Sequence, residues 1–477
     1  MGRINLSGGT YQARSLAVAA QRCLNLYPEP IPQEQKEPIL FAYYPTPGNA
    51  AFCTLTGVVR CLYTTSQGDL IACVGAGIYL IDDLGNSTQI GTISAGTTQV
   101  RIQDNGLTLF VVDGSATGGW YCALPAVGSA TYGDMTQIAD EAFYGSQTIA
   151  VLDTFLLFTK PGSNHWYVAP ANFTNETDTP FDSLYIASKT SYPDLIVGIA
   201  VIGQTIWIFG EQTTELWYDS GATDFPFQRM PSILADQGCE APYSIATTFG
   251  QVFWLGRDRQ GHARVYMGAD NMSVPISTFA VDQALNSYGG LSSAIGNTYQ
   301  QDGHQYYVLT IPDMGKTWVF DATTKLWHER CGGSSSGAEA RIRANCWAAA
   351  YGRIFCGDFE NGVIYEVSTS FLDDAGASIK RQRAFPHLLT DGKRGIHRQF
   401  IVDMQNGSGI TVDVDWSDDR GATFCNPVPL QIGTSGNVWP SIWRLGVARD
   451  RVYRLTWTGP AQTALMGAFI QIDPVRT

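Results

Sequence analysis

The sequence predicts an all-β protein, a β-propeller of six or seven blades with a C-terminal β-sandwich-like domain. Two observations carry this reading. A unit of apolar strand, tight turn, second apolar strand, loop and third strand ending in an aromatic recurs seven times. Its turns sit at Gly68, Gly106, Asp153, Gly203, Gly250, Gly303 and Gly352, and a spacing of roughly 40–50 residues is that of propeller blades. The strands are also apolar on both alternating faces. A lone unit cannot bury two such faces, whereas radial stacking covers both and leaves only short edges.

Residues 1–56 read as a lead-in packing on the propeller, with little periodicity. Asn25-Leu26-Tyr27-Pro28 closes a short apolar segment, and Pro28-Glu29-Pro30-Ile31-Pro32 reads as a rigid extended connector. The propeller is expected over 57–379. Its fourth repeat is the clearest: strands at 199–202, 205–209 and 214–218, with Ile206 and Ile208 on one face and Trp207 and Phe209 on the other. The fifth repeats this at 243–246, 252–255 and 265–267. The sixth carries Asp321, Thr323, Thr324 and Trp327 at a spacing like the end of a kelch blade, in one copy only. Gly332 to Gly337 is a flexible loop by composition. A basic connector follows at 380–398. Alternation resumes in a terminal β domain over 399–477, as in Ile410-Thr411-Val412-Asp413-Val414.

Composition bounds function. The 477-residue chain is 44% hydrophobic and only 15% charged, with 30 basic against 43 acidic side chains and a net charge of −13. Such a chain is not drawn as a whole to nucleic acid or an anionic membrane, although a like-charged wall can let DNA pass. None of the ten cysteines forms a C-x-x-C pair or a zinc spacing, and several sit inside strands, where they read as small buried hydrophobes. The start, Met1-Gly2-Arg3-Ile4-Asn5-Leu6, has no apolar signal core and fails the myristoylation pattern. The longest apolar stretch, 195–209, is shorter than the ~20 residues of a membrane helix and contains Gly203-Gln204, so it reads as a hairpin. Cytoplasmic synthesis without a direct membrane anchor is the expectation.

No motif for catalysis survives its context. Gly333-Ser334-Ser335-Ser336-Gly337 matches G-x-S-x-G, but no apolar strand precedes it and no helix follows, as a nucleophile elbow requires. Asp413, Asp415 and Asp418 suggest calcium, yet the loop places Asp418 and Phe424 where an EF-hand needs Gly and Glu. Ser417 to Phe424 instead resembles an Asp box, a structural turn of sialidase-type propellers. The histidines at 165, 262, 304, 328, 387 and 397 have no metal-ligand spacing. No catalytic residue, cofactor or metal is therefore expected. One charge anomaly remains: Lys380, Arg381, Arg383, Lys393, Arg394 and Arg398 cluster in an acidic chain. They read either as a solvated linker or as a contact for an acidic partner. On the second reading, reversing Lys380, Arg381 and Arg383 should impair docking and leave the monomer folded.

Residues 196–256 carry a resemblance. Phe209-Gly210, Thr214-Glu215-Leu216-Trp217-Tyr218 and the Gly238-Cys239 turn, with the opening Asn25-Leu26-Tyr27-Pro28, look like the packaged-DNA stabilisation proteins of short-tailed bacteriophages, also called tail accessory, hub or nozzle proteins. The resemblance implies a non-enzymatic part of the virion tail, assembled in the host cytoplasm. It implies a homo-oligomeric ring, a hexamer, below the portal-adaptor proteins. Such a ring extends the DNA channel, helps retain the genome and holds tail fibre or tailspike proteins. DNA would pass transiently and without sequence specificity. The competing reading is a glycan-binding or sialidase-like propeller associated with the tail, suggested by the many Trp and Tyr residues and the single Asp box.

Overall fold

Seven sheets surround one axis in the computed structural model, which describes residues 2–4, 6–31, 40–126, 129, 131–248, 250–258, 260–334, 337–390, 392–405, 409–434 and 439–475. Their innermost strands are Val59–Thr64, Arg101–Asp104, Ile149–Leu152, Ile196–Ile202, Ala246–Thr248, Ile295–Gln301 and Ala344–Ala350. From each, three further antiparallel strands step outward, so the propeller has seven blades of four strands. The seven expected turns are the seven hairpins between first and second strands. All have positive φ, from 47° at Asp153 to 94° at Gly68, a conformation that glycine adopts without strain.

The period-two side-chain pattern packs the blades together. In the second strand of blade 2, Leu109 and Val111 meet Ile71, Cys73 and Ile78 of blade 1. The alternate residues Phe110 and Val112 meet Leu156 and Phe158 of blade 3. Each blade interface holds one such apolar cluster. Between blades 4 and 5, Trp207, Phe209 and Trp254 are buried with Phe209 and Trp254 ring centroids 5.0 Å apart. Each large side chain buried this way contributes roughly 1.5–3 kcal/mol. The stretch 195–209 is the expected hairpin, Ile196–Ile202 with Thr205–Gly210. Among the described residues no helix is long and apolar enough to cross a membrane. One helix, Phe279–Ser287, was not foreseen. Thr278 caps it by accepting from the Val281 N–H, and Val281 and Leu285 join the core between blades 5 and 6.

The amino-terminal 56 residues are more than a lead-in. Gly48–Leu55 is the fourth strand of blade 7, antiparallel to Gly362–Ser368. The first strand of the propeller thus closes its last blade. At Gly48 an added Cβ would lie 2.2 Å from the Asp373 carbonyl oxygen and 2.6 Å from that of Phe371, so only glycine lets the strand enter there.

Upstream and downstream segments together build a two-sheet sandwich. One sheet contains Gly2–Ile4, Leu26–Ile31, Leu40–Pro45, Gly395–Met404, Ser441–Trp443, Val447–Ala448 and Leu465–Pro474. The other contains Tyr11–Gln12, Ala20–Leu24, Lys380–Ala384, Leu388–Leu389, Thr411–Ser417, Val428–Gln431 and Asp450–Thr458, and runs on into the outer strand of blade 6, Leu326–Arg330. Val412, Val414, Leu455 and Trp457 of one sheet pack on Leu26, Tyr43, Phe400, Val402 and Ile470 of the other. Two expectations are corrected here. The Pro28–Pro32 run is no free connector, since Leu26–Ile31 is an edge strand, where proline's missing N–H leaves no ladder bond unmade; Pro32 lies outside the described residues. Residues 380–398 are no linker either, because Lys380–Ala384 and the start of Gly395–Met404 lie in opposite sheets. All ten cysteines are unpaired, nine of them buried.

His328, on the outer strand of blade 6, is fully buried and neither ring nitrogen has a partner. Burial, with the Arg330 charge adding, pushes its pKa from 6.5 down to about 3. The unfolded chain therefore binds a proton that the folded chain does not between those values. Stability from this group is complete above pH 6.5 and is lost as pH falls toward 3. His328→Phe should remove that slope, worth up to ~1.4 kcal/mol per pH unit. Urea melts from pH 4 to 7 check this, with the variant gaining on the native chain as pH falls; parallel curves would contradict it.

Candidate functional sites at the propeller axis and the basic segment

The seven inner strands enclose a cavity of about 410 Å³ on the propeller axis, reached by residues of all seven. Its described lining includes Tyr63, Arg101, Gln103, Thr148, Asn297 and Trp347 and no carboxylate. Arg101 is tied to the far side of the ring. Its Nη2 donates to the Tyr243 carbonyl at 3.0 Å, and its guanidinium lies over the Tyr243 ring at 5.3 Å. Arg60 is buried below the axis and donates to the carbonyls of Thr98, Gly75 and Ser94 at 2.7–2.9 Å. The cavity has the volume of a small-molecule pocket, ~300–1,000 Å³. A single Arg101 side chain reaches from blade 2 to the Tyr243 carbonyl just before blade 5, which leaves no room along this axis for a duplex whose major groove alone is ~12 Å wide. A glycosidase pair of carboxylates has no member among these lining residues.

The six basic residues do not form one patch. Lys380, Arg381 and Arg383 lie on one strand, and Arg381 and Arg383 are fully buried. Arg383 donates to the carbonyls of Gly9 (3.0 Å), Ser7 (3.1 Å) and Arg22 (3.3 Å) and to the Tyr43 hydroxyl (3.1 Å). It also stacks over the Tyr43 ring at 4.6 Å. Arg381 donates to Gly459 and Leu372 carbonyls at 3.0 Å, and burial lowers its pKa to about 10. Neither guanidinium is available to a partner, because this chain's own carbonyls surround both. Lys393, Arg394 and Arg398 are exposed; Arg398 pairs with Asp473.

Lys380 belongs to a junction that the sequence did not reveal. Arg22 of the sandwich forks Glu329 of blade 6 and Glu339 of the following loop, each at 2.7 Å, and the Lys380 Nζ donates to Glu339 at 3.0 Å. The Arg22 hydrogen bonds, with Lys380, hold the Glu339 carboxyl at about 2 despite its burial. Nearby, the Asn25 N–H donates to the Glu329 carbonyl and the Thr10 N–H to that of Trp327.

The remaining motifs are architectural. In the kelch-like turn, burial opposes the Asp321 charge, but hydrogen bonds from His304 and Thr324 outweigh it and keep the carboxyl below its usual range. In the Asp-box-like turn, Asp419 accepts from Ser417 Oγ (2.6 Å) and from Thr423 N–H (2.8 Å) and Oγ (2.6 Å), which lowers its pKa to about 2. Asp415 and Asp418 are ion-paired to Arg454 and Arg451. Among the described residues no group of three or more His, Cys, Asp or Glu side chains is placed to hold a metal. Ser335 and Ser336 of the G-x-S-x-G match lie outside the described residues.

A family model described as "Bacteriophage P22 Gp10, beta-propeller" matches residues 3–371. The chain belongs to this family. The match to this phage packaged-DNA stabilisation family covers Gly48–Leu55 and all seven blades, and ends just past the last of them. The tail hub protein gp10 of Salmonella phage P22 is 22% identical over 290 residues, a region that is 58% of this chain and 58% of that protein. The aligned chain thus spans less than two thirds of that relative. Among solved structures, the WD40 β-propeller domain of Doa1 aligns with 67% of this chain and 97% of its own at 11% identity and a TM-score of 0.41. An exo-β-1,3-galactanase from Phanerochaete chrysosporium aligns with 83% of this chain and all of its own at 12% identity and 0.30.

The buried guanidinium gives a clear contrast. Arg383→Met should cost about 3–5 kcal/mol, since each buried acceptor left unpaired costs ~1–3 kcal/mol. Arg394→Glu, at an exposed position, should change stability by less than ~0.5 kcal/mol. Urea midpoints of the two variants measure this; similar small shifts for both would refute the internal role of Arg383.

Proposed function

We propose that this member of the phage family is a structural hub of a short virion tail. In this reading six copies form a ring that continues the DNA channel below the portal-adaptor proteins, helps retain the packaged genome and gives tail fibres or tailspikes a foothold. The chain is assembled into the tail in the host cytoplasm and does no catalysis. The observation that carries the reading is the family match over 3–371, which takes in the entire propeller, together with a relative named for the tail hub.

The geometry adds a constraint. The propeller axis is too narrow for DNA, so the conduit runs between chains, along the shared axis of the ring. Each blade is sandwiched between two others and the last is clasped by the amino-terminal strand, which suits a stiff wedge bearing load. A net charge of −13 per chain keeps the polyanion from adhering to the wall as it passes.

Electron cryomicroscopy of purified particles carrying a tag in the exposed turn at Gly261 tests this. The expected result is a tagged ring around the tail axis, below the portal. Particles that lack the chain, or hold it as single off-axis copies, would rule the reading out.

A further inference from the structure

We propose that copies of this chain join head to tail, a basic and aromatic rim on one sandwich resting on an aspartate-studded propeller face of the next copy. This rests on the ring reading and names the surfaces that would make the ring.

The rim is built by backbone bonds between segments distant in sequence. Gly395–Met404 pairs with Val447–Ala448 and Ser441–Trp443. The Arg444 N–H donates to the Arg398 carbonyl at 2.8 Å, Thr390 to Arg449 at 3.3 Å, and Lys393 to Thr390 at 2.8 Å. Lys393, Arg394, Arg398, Arg444 and Arg449 are thereby gathered at one end of the sandwich, all exposed. Arg398 pairs with Asp473; no ion pair engages the other four among the described residues. Between them stand Trp443, 60% exposed, Val447, 48%, and Leu389, 67%. Exposed Trp beside Arg is the composition of interface hot spots. The rim lies wholly outside the family match, which stops at 371.

The complementary surface is on the propeller. Consecutive antiparallel strands place the first and third turns of every blade on one face. On that face blades 1–6 each present an exposed aspartate: Asp83, Asp134, Asp153, Asp224, Asp270 and Asp302. Lys325 is the exposed cation among the described residues of those turns. The opposite face mixes signs, with Lys160, Arg341 and Arg343 among its turns. Contact between unlike patches is heterologous and closes into a ring when its rotation allows. A two-fold contact centred on either patch would set like charges against one another. A DNA duplex would satisfy the cations but gives Trp443, Val447 and Leu389 nothing apolar to cover them.

The test is sedimentation velocity of the full chain at ~50 mM and ~0.5 M salt. Three variants are compared with the unaltered chain: R444E/R449E, W443S, and one with the six aspartates changed to Asn. The unaltered chain should assemble and weaken with salt. Rim reversal and aspartate neutralisation should each weaken assembly ~30-fold or more, and W443S ~10-fold, with melting temperatures unchanged. Rings that form normally from all three variants would overturn the inference and leave the tail-hub reading standing, since the tagged particles decide that separately. An unaltered chain that stays monomeric to ~100 μM would also overturn it. So would normal assembly with loss of binding to a ~30-bp duplex in R444E/R449E, which would make the rim a phosphate site.

Discussion

Everything in this molecule depends on closing a circle. Seven blades bury their faces only against one another, so the last must meet the first and still carry a full outer edge. Gly48–Leu55 provides that edge for blade 7, pairing along Gly362–Ser368. The clasp crosses some 300 residues of chain, and its loop-closure entropy must be offset by the strand ladder and by the Cys53, Phe355 and Ile364 cluster around Val59 and Leu70. The same crossing ties the two domains together. Residues before the clasp and after blade 7 are strands of one sandwich, so neither domain is complete until both ends of the chain are home.

The polar groups at the junction set orientation more than they add stability. Replacing a buried ion pair by apolar groups is often neutral, whereas leaving one partner alone is costly. Arg22, Glu329, Glu339 and Lys380 therefore penalise any other seating of sandwich on propeller. Arg383 does the same within the amino-terminal segment, gathering the carbonyls of Ser7, Gly9 and Arg22 around one planar donor.

Much of the propeller was legible because its signals are local. A glycine or aspartate at positive φ between two apolar strands marks each inner hairpin, and all seven were found this way. The amino-terminal strands were missed for the opposite reason. Ala20–Leu24 reads Ala-Gln-Arg-Cys-Leu, and its partners Glu329 and Arg383 lie more than 300 residues away. Proline-rich Leu26–Ile31 looks like a connector unless its place at a sheet edge is known. The basic cluster misled because Lys-Arg-Gln-Arg at 380–383 has the composition of a solvated linker; only backbone carbonyls brought from elsewhere make it a buried strand. Nor could the sequence reveal that Trp443 faces solvent while Trp457 fills the core, since both are aromatic residues at or beside the end of a strand.

Native-state hydrogen exchange on the full chain is the most direct measurement of the closure. If the amino-terminal strand is what completes the ring, amides of 48–55 should exchange with the same opening free energy as those of 362–368, and both should approach the global value. Exchange of 48–55 at low free energy while 362–368 stays protected would mean that the circle is held without its clasp, contrary to the account given.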